Sequence, residues 1–283
     1  RLAWFQYHVQ DGRDQQERRL GVFDPDRGQF LDRGPVDELQ ALACGQLNDR
    51  AWLLDGAKPM AGEPKFDIPV AHPSPILCLG KNYAAHAHEF GAEVHEEPIF
   101  FTKFADTMIP HGAPIVLPHW IHERIDHEIE LGVILGFDDP DGRGRKYVAA
   151  DSAMDLVAGY TIINDVTARK MQGDDRDIKH PWLRSKSFDT FCPIGPWITT
   201  GLDGDNLRIR CLVNGQAVMD GSSSGMIWNV AELVSWVSEV MALNPGDIIP
   251  RGCPDVDEIN IGDIVEIEVE GIGTLSNPVA ADE

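Results

Sequence analysis

The stretch HEIELGVILG at residues 127–136 decides how the chain can fold. It runs into uninterrupted apolar sequence, which is typical of a buried strand. Positions i and i+2 of a strand point to the same side, so Glu128 and Glu130 point together. Two like charges at the mouth of a buried strand are unfavourable unless a hard divalent cation binds both carboxylates. An exposed strand end with both Glu side chains solvated explains the pattern equally well.

Other β-type segments surround this stretch. Runs that are rich in β-branched residues or alternate with period two occupy residues 76–80, 157–163, 207–213 and 264–269. The clearest amphipathic helix covers residues 228–243 and ends at an Asn-Pro-Gly stop. Because strands dominate and helices do not alternate regularly with them, we predict a β-rich α+β fold, not a doubly wound one.

The first part of the chain differs in character from the rest. Residues 1–35 contain short β-type runs around turn signals, and residues 36–55 have helical apolar spacing with Gly45 as a flaw. Residues 56–75 are rich in Gly, Pro and Lys, which is typical of a linker. We therefore predict a small N-terminal α/β domain at residues 1–70 and the main domain at residues 71–283.

The composition restricts the class of protein. The 283 residues include 46 acidic and 24 basic ones, and the net charge of −22 argues against a nucleic-acid partner. The same charge repels an anionic substrate, so an acid-binding site must supply local positive charge from a metal, Lys or Arg. No apolar run is long enough to span a bilayer, and no export signal opens the chain. Five scattered cysteines indicate free thiols in a reducing compartment, so we expect a cytoplasmic protein with no membrane partner.

A further carboxylate, Asp165, ends the β-type run 157–163 just before a helix-compatible segment. By position alone, Asp165 is more typical of a helix N-cap than of a metal ligand. If it joins Glu128 and Glu130, three oxygen ligands leave open positions at which a metal can bind substrate directly. Arg169 and Gln172 are three residues apart and share a helix face, which belongs to a site or is simply solvated.

Two more segments carry groups suited to catalysis. His86 and Glu89 lie one helical turn apart, where the carboxylate can orient the imidazole as a general base for a water. His86 and His88 form the H-x-H spacing of zinc hydrolases, a short match that arises easily by chance among 10 His. Lys186 precedes an aromatic, Pro- and Gly-rich stretch, where a partly buried Lys neutralises an enolate or oxyanion, although a solvated Lys is commoner.

Nine motifs in order resemble the fumarylacetoacetate hydrolase family over roughly residues 76–279. They are GKNYxxHxxE at 80–89, PIFFxK at 98–103, EIEL at 128–131, NDVTAR at 164–169, KSFDTF at 186–191, IGPW at 194–197, VNG at 213–215, LNPGD at 243–247 and GIGTLxN at 271–277. Together they are far more specific than any one alone. The branch that they resemble contains acylpyruvases and 2-hydroxyhepta-2,4-diene-1,7-dioate isomerases.

The resemblance implies the family's mixed β-sandwich roll, usually in a homodimer. It implies Mg²⁺ or Mn²⁺, with Ca²⁺ as a third candidate, held by Glu128, Glu130 and Asp165. The family's catalytic residues correspond to His86, Glu89 and Lys186 of this chain. Its substrate contacts correspond to Lys103, Arg169, Gln172, Thr190 and Cys253. The ligand interpretation of Asp165 therefore overtakes the N-cap interpretation.

This sequence departs from the family pattern at three places. Cys253 replaces a Thr whose hydroxyl is expected to touch the substrate carboxylate. His127 stands where the family often has Tyr, and its imidazole either tunes the metal's surroundings or packs in the core. Residues 174–184 form a longer insert, which is either a lid over the site or an ordinary surface loop.

The resemblance leads to a hypothesis about the reaction. We expect a hydrolase of aromatic catabolism that cleaves a C–C bond in a small acylpyruvate- or fumarylpyruvate-like 2-oxo acid through a metal-bound enolate. Lys186 would stabilise the oxyanion and His86 would activate water. The same enolate serves an oxaloacetate-type decarboxylase, an isomerase or hydratase of an unsaturated 2-oxo dioate, and a dehydratase of a 3-deoxy-2-oxo sugar acid. More distant alternatives are a zinc hydrolase and a non-catalytic organic-acid binder, for which intact His86, Glu89 and Lys186 would be unnecessary.

Overall fold

The computed structural model of the protein describes residues 2–10, 16–62, 64–71, 76–83, 97–139 and 141–282. Eighteen strands and five α-helices lie within these ranges. The strands are β1 Ala3–Gln10, β2 Gln16–Asp24, β3 Gln29–Gly34, β4 Lys58–Pro59, β5 Ile76–Gly80, β6 Ile99–Lys103, β7 Met108–Ile109, β8 Ile115–Leu117, β9 Ile125–Leu135, β10 Val157–Asn164, β11 Thr167–Ala168, β12 Cys192–Thr199, β13 Arg208–Val213, β14 Gln216–Ser222, β15 Ile248–Pro250, β16 Val256–Glu258, β17 Ile264–Val269 and β18 Gly273–Ala281. The helices are α1 Glu38–Ala43, α2 Arg50–Leu54, α3 Arg169–Asp177, α4 Leu183–Lys186 and α5 Val230–Val240.

Two mixed sheets form the frame of the molecule. The larger has the order β4-β3-β2-β1-β12-β10-β9-β15-β5-β6, with β11 and β16 also paired to β9 and β7 paired to β12. The smaller has the order β14-β13-β17-β18-β8. Most neighbouring strands are antiparallel, while β5 with β15, β7 with β12 and β8 with β18 are parallel. Strands therefore outweigh helices and the helices do not alternate with them, which confirms the predicted β-rich α+β fold.

Strand β9 lies in the middle of the larger sheet and determines where the polar side chains go. All eleven of its residues are buried. Ile129, Leu131 and Val133 point into the main apolar cluster, which also contains side chains of the smaller sheet and of α5. Residues between them in the sequence point to the opposite side of the strand. The alternation therefore places Glu128 and Glu130 together, away from the main cluster.

Helix α5 matches the helix expected at residues 228–243 and begins with a complete capping box. The Asn229 side chain accepts a hydrogen bond from the backbone of Glu232, and the Glu232 side chain accepts one from the backbone of Asn229. Val230, Leu233 and Val237 are buried on the inner face of the helix. None of the helices in the described part of the chain is long and apolar enough to cross a membrane.

The N-terminal strands continue the larger sheet, because β1 pairs with β12 through Ala3 and Trp4. The helical segment expected at residues 36–55 is divided at Gly45, whose φ of +64° belongs to the left-handed region. The predicted linker at residues 56–75 is only partly irregular. It contains β4, which pairs with β3, whereas its residues 72–75 lie outside the described ranges. The predicted domain boundary after residue 70 stays a prediction.

Candidate metal and substrate site

Three buried carboxylates meet where β9 and β10 lie side by side. Glu128 and Glu130 come from β9, and Asp165 directly follows β10, with its backbone N–H donating to Glu128 O at 2.8 Å. Their relative exposures are 9%, 1% and 0%. One ligand oxygen from each lies within 4.8 Å of the others. The two strands thus bring together the predicted metal ligands, which are 37 residues apart in the sequence at most.

Asp165 does not cap the helix that follows it. Helix α3 starts at Arg169 after Ala168, and no side chain caps it. The Asp165 carboxylate instead accepts hydrogen bonds from Lys103 Nζ at 2.8 Å and from Lys186 Nζ at 2.5 Å. The N-cap interpretation is therefore wrong, because strand β11 separates Asp165 from the helix.

Two buried lysines neutralise the carboxylates. Lys186 Nζ bridges Glu128 Oε2 at 2.8 Å and Asp165 Oδ2 at 2.5 Å. Lys103 Nζ donates to Asp165 and to the backbone oxygens of Val166 and Lys186. An ammonium group has three N–H donors, so Lys103 spends all of them inside the protein. Lys186 is thus the lysine placed beside two of the three carboxylates, whereas Lys103 holds Asp165 in position.

The surroundings shift the pKa values of the two glutamates in opposite directions. Burial raises the pKa of Glu128, but the charges of Lys186 and Arg169 outweigh burial and lower the pKa to about 2. Burial and the nearby charge of Asp165 hold the pKa of Glu130 well above its ordinary range. The nearby charge of Lys186 lowers the pKa of Glu130, but burial and Asp165 raise it by more, so a further positive charge is needed to ionise Glu130.

Glu130 provides the test of whether a cation fits the site. Its Oε2 accepts a hydrogen bond from the backbone N–H of Gly252 at 2.8 Å, while its Oε1 is buried without a partner. An orphaned carboxylate oxygen in a cluster of three carboxylates suits a hard divalent cation, which prefers oxygen ligands. Glu128, Glu130 and Asp165 thus fit a divalent ion, and their chemistry does not distinguish Mg²⁺ from Mn²⁺.

Arg169 contacts the carboxylates directly, and Gln172 is linked to them through Arg169. Arg169 donates from Nη2 to Glu128 Oε1, from Nη1 to Gln172 Oε1 and from Nε to Asp126 Oδ2, each at 2.6 Å. Thr167 Oγ1 also donates to Glu128 Oε1, at 3.1 Å. A guanidinium and an amide at the rim of a carboxylate cluster can bind an anionic substrate.

Thr190 and Cys253 make their hydrogen bonds with the backbone. Thr190 Oγ1 accepts from Val116 N at 2.8 Å. Cys253 Sγ accepts from Ile129 N at 3.0 Å and donates to Asp255 O at 2.5 Å. Burial raises the pKa of the Cys253 thiol well above its ordinary value, so this side chain stays neutral. Their predicted contacts with substrate stay predictions.

The predicted general base and its partner are outside the described residues. This applies to His86 and Glu89, and also to His88 of the H-x-H pair. His127 is buried on the other side of β9, where its ring lies 3.8 Å from Cys211 Sγ, so it packs in the core. The chain between residues 174 and 184 completes α3 and leads into α4, and Arg184 pairs there with Asp175.

Sequence reasoning missed Asp126, Thr167 and the Gly252 N–H as parts of this site. Asp126 precedes Glu128 by two positions on a strand, so the same alternation could have found it. The other two contacts depend on strand pairing and on the backbone course after β15. The sequence shows neither directly.

Comparison with known proteins decides the family. The family model of the fumarylacetoacetate (FAA) hydrolase C-terminal domain matches residues 75–280. The chain belongs to the fumarylacetoacetate hydrolase family. This confirms the resemblance and agrees with the two mixed sheets described above.

Members of the fumarylacetoacetate hydrolase family similar to this chain carry different names. The mitochondrial oxaloacetate tautomerase FAHD2A of Bos taurus is 40% identical over 228 residues, covering 77% of this chain and 70% of that protein. The structure of 5-carboxymethyl-2-hydroxymuconate delta-isomerase from Mycobacterium smegmatis is 33% identical, covers 99% of both chains and has a TM-score of 0.77. Fumarylacetoacetate hydrolase from psychrophilic Exiguobacterium antarcticum is 30% identical, covers 100% of both chains and has a TM-score of 0.83. Family membership therefore does not determine whether a member is a tautomerase, an isomerase or a hydrolase, and the geometry of the site has to be considered.

Proposed function

We propose that the protein is a divalent-metal-dependent enzyme that interconverts the keto and enol forms of a small 2-oxo dicarboxylic acid. The observation that carries this proposal is the buried carboxylate triad, in which Glu130 Oε1 has no hydrogen-bond partner. Glu128, Glu130 and Asp165 would hold Mg²⁺ or Mn²⁺. Such an ion, when bound, supplies Lewis acidity that makes a proton next to a keto group easier to remove.

The charges around the triad suit a dianionic substrate. Four buried carboxylates and four cations belong to this region, so with all groups ionised their charges cancel. They are Asp126, Glu128, Glu130, Asp165, Lys103, Arg124, Arg169 and Lys186. A divalent ion would add two positive charges to these eight groups, which the exposed Asp257 beside Arg124 offsets in part, although the whole chain carries −22. A dicarboxylate would balance that charge, and the local field would attract it.

Lys186 and Arg169 have distinct tasks in this proposal. Burial lowers the pKa of Lys186, but the charges of Asp165 and Glu128 outweigh burial and raise it, so Lys186 remains a cation. Two of its three N–H donors bond Glu128 and Asp165, and the third can stabilise the oxygen that becomes negative in the enolate. The planar guanidinium of Arg169 suits a carboxylate of the substrate. Lys186 would therefore stabilise the oxyanion, and Arg169 would orient the substrate.

Keto–enol interconversion is the reaction that these groups serve most directly. It moves one proton and breaks no carbon–carbon bond, so it needs a proton carrier in addition to the groups above but no attacking water. The bovine relative is named an oxaloacetate tautomerase and the Mycobacterium smegmatis structure an isomerase, and both names support such chemistry. His86, oriented by Glu89, is our candidate for the proton carrier.

The test follows the enol form of oxaloacetate by ultraviolet absorbance, with MgCl₂ or MnCl₂ present. We expect faster loss of enol than in buffer, loss of this activity with EDTA, and a fall of at least 100-fold in Glu130→Gln. The matched control is Glu239→Gln, an exposed carboxylate on α5, which should retain full activity. Pyruvate formation, measured in parallel, reports decarboxylation. Activity that survives both EDTA and Glu130→Gln would refute the proposal.

A second candidate is hydrolysis of a C–C bond in an acylpyruvate-like acid. The position of the segment that leads to His86 supports it, as it supports the proton carrier of the first candidate. Asn82 Nδ2 donates to Arg251 O at 2.8 Å, directly before Gly252, whose N–H binds Glu130. The chain thus approaches the carboxylate triad four residues before His86.

Hydrolysis is tested with acetylpyruvate and fumarylpyruvate as substrates. Replacing His86 by Ala should abolish release of the second acid, because no base activates the water, and should leave Mn²⁺ affinity nearly intact. Unchanged hydrolysis in the His86→Ala protein would exclude this role of His86. We also propose that the enzyme is a cytoplasmic homodimer, which sedimentation of the purified protein and fractionation of the source cells would test.

A further inference from the structure

A fourth carboxylate lies on the same face of β9 as Glu128 and Glu130. Asp126 is fully buried, with a relative exposure of 0%, and it precedes Glu128 by two positions. It is not among the three carboxylates whose oxygens cluster within 4.8 Å. Its two oxygens face two arginines instead: Oδ1 accepts from Arg124 Nε at 2.5 Å, and Oδ2 accepts from Arg169 Nε at 2.6 Å.

These contacts fix the orientation of the Arg169 guanidinium. Nε faces Asp126, Nη1 faces Gln172, and Nη2 faces Glu128, so all three nitrogens of the planar group are held. A guanidinium has five N–H donors, and these contacts use three of them. Two donors therefore remain in a plane that the protein determines. The side chain of Arg169 is 29% exposed, so a small molecule can reach it.

The hydrogen bond between Asp126 and Arg169 limits how Arg169 can pair with Glu128. Arg and carboxylate groups readily form two parallel hydrogen bonds, and Glu128 is the other carboxylate bonded to Arg169. Because Nε donates to Asp126, only Nη2 donates to Glu128. Glu128 Oε2 is then left for Lys186, which lies 2.8 Å away. Without Asp126, the guanidinium would be free to turn and bind both oxygens of Glu128 through two parallel hydrogen bonds.

We propose that Asp126 is a positioning residue that aims the two remaining donors of Arg169 at a carboxylate of the bound 2-oxo acid. The inference rests on the proposed function for the class of ligand. It adds to that function a fork that binds a carboxylate, made of the two remaining N–H donors of Arg169. Residues of β9 and α3 hold this fork in place. Asp126 acts through Arg169 and touches neither substrate nor metal.

The experiment measures binding of Mn²⁺ alone, and then of oxalate in the presence of Mn²⁺, by titration calorimetry on the full chain. We expect Asp126→Asn to weaken oxalate binding at least 10-fold, because the amide offers Nε a weaker acceptor and no negative charge. Mn²⁺ affinity should change less than threefold. The matched control is Asp174→Asn, the same change at an exposed residue of α3 paired with Lys170, and it should bind both as the wild type does.

A double-mutant cycle separates positioning from general damage to the site. Arg169→Lys should weaken oxalate binding similarly, and adding Asp126→Asn to it should cost little more, because the fork is already lost. Asp126→Glu keeps the charge but displaces it, so it should give an intermediate loss and serves as the variant if Asp126→Asn does not fold. Strictly additive losses would overturn the proposal.

Other outcomes also decide the matter. Equal weakening of Mn²⁺ and oxalate in Asp126→Asn would assign Asp126 to the metal site and overturn the proposal, as would unchanged oxalate binding. A wild-type protein that binds Mn²⁺ but not oxalate would overturn it too. Oxalate binding with the expected cycle but without turnover of oxaloacetate would refute the proposed function and leave the role of Asp126 standing.

Discussion

Replacing Lys186 by Met removes the cation that bridges two of the three clustered carboxylates. Lys186 Nζ lies 2.8 Å from Glu128 Oε2 and 2.5 Å from Asp165 Oδ2. The three side chains are 1%, 11% and 0% exposed, so water cannot replace the lost contacts. Met has a similar length and no charge, so the change isolates the electrostatic part of the interaction.

The expected loss of stability is large when no metal is present. Removing one partner of a buried ion pair costs about 3–5 kcal/mol, because the remaining charge is left unpaired. For a chain of this size, such a loss corresponds to a fall in Tm on the order of 10 °C. A divalent ion bound by the same carboxylates would replace the missing charge. It should therefore stabilise the Met variant more than the wild type, which already has a cation there.

The assay is thermal unfolding of both proteins in EDTA and in MnCl₂. We predict a lower Tm for Lys186→Met in EDTA and a larger Mn²⁺-induced rise in Tm than the wild type shows. The control is Lys170→Met, which removes an exposed lysine paired with Asp174 and should melt like the wild type in both conditions. An equal Mn²⁺-induced rise in Lys186→Met and wild type would show that Lys186 and the ion do not share carboxylates.

Three further predictions concern the frame of the site. Gly132→Ala places a Cβ 2.6 Å from Ile163 Cδ1, so it should lower the free energy of unfolding by about 1–3 kcal/mol. A urea midpoint equal to that of the wild type would contradict this. Burial raises the pKa of Asp247 to about 7, so the folded protein holds a proton there that the unfolded chain has lost above about pH 4. Wild-type stability should therefore fall as the pH rises towards 7, and Asp247→Asn should gain about 2–3 kcal/mol relative to the wild type between pH 5 and pH 7. Parallel stability curves over that range would refute this assignment. Asn82→Ala removes a buried side chain whose amide donates to Arg251 O, and chemical denaturation should show a loss of about 1–3 kcal/mol. No measurable loss would mean that this hydrogen bond does not anchor the segment.

The fold class could be predicted from local patterns because β9 and the other buried strands have clear apolar signatures. The extent of helix at residues 36–55 could be predicted only in part, because the sequence shows Gly45 as a flaw but not that its φ is positive. The predicted linker at residues 56–75 was assigned from its composition. Its short strand β4 is formed by pairing with β3, a long-range contact that composition does not contain.

Part of the site was predictable because β9 has a clear pattern in the sequence. Alternation along β9 brought Glu128 and Glu130 together, whereas spacing alone assigned Asp165 to a helix cap. The pairing of β10 with β9 and the two lysines decide its real environment. Family motifs supplied that information indirectly. They did not supply Asp126, which alternation along β9 places on the same face as Glu128 and whose hydrogen bond to Arg169 links it to the site.

The most direct test of the account is the location of a bound ion. Crystals of the protein soaked in MnCl₂ should give an anomalous difference peak between Glu128, Glu130 and Asp165, within coordination distance of an oxygen of each, about 2.0–2.3 Å. The Glu130 oxygen that has no hydrogen-bond partner should be among the ligands. A fully active protein whose manganese peak lies elsewhere, or whose triad shows no peak at saturating Mn²⁺, would contradict the account.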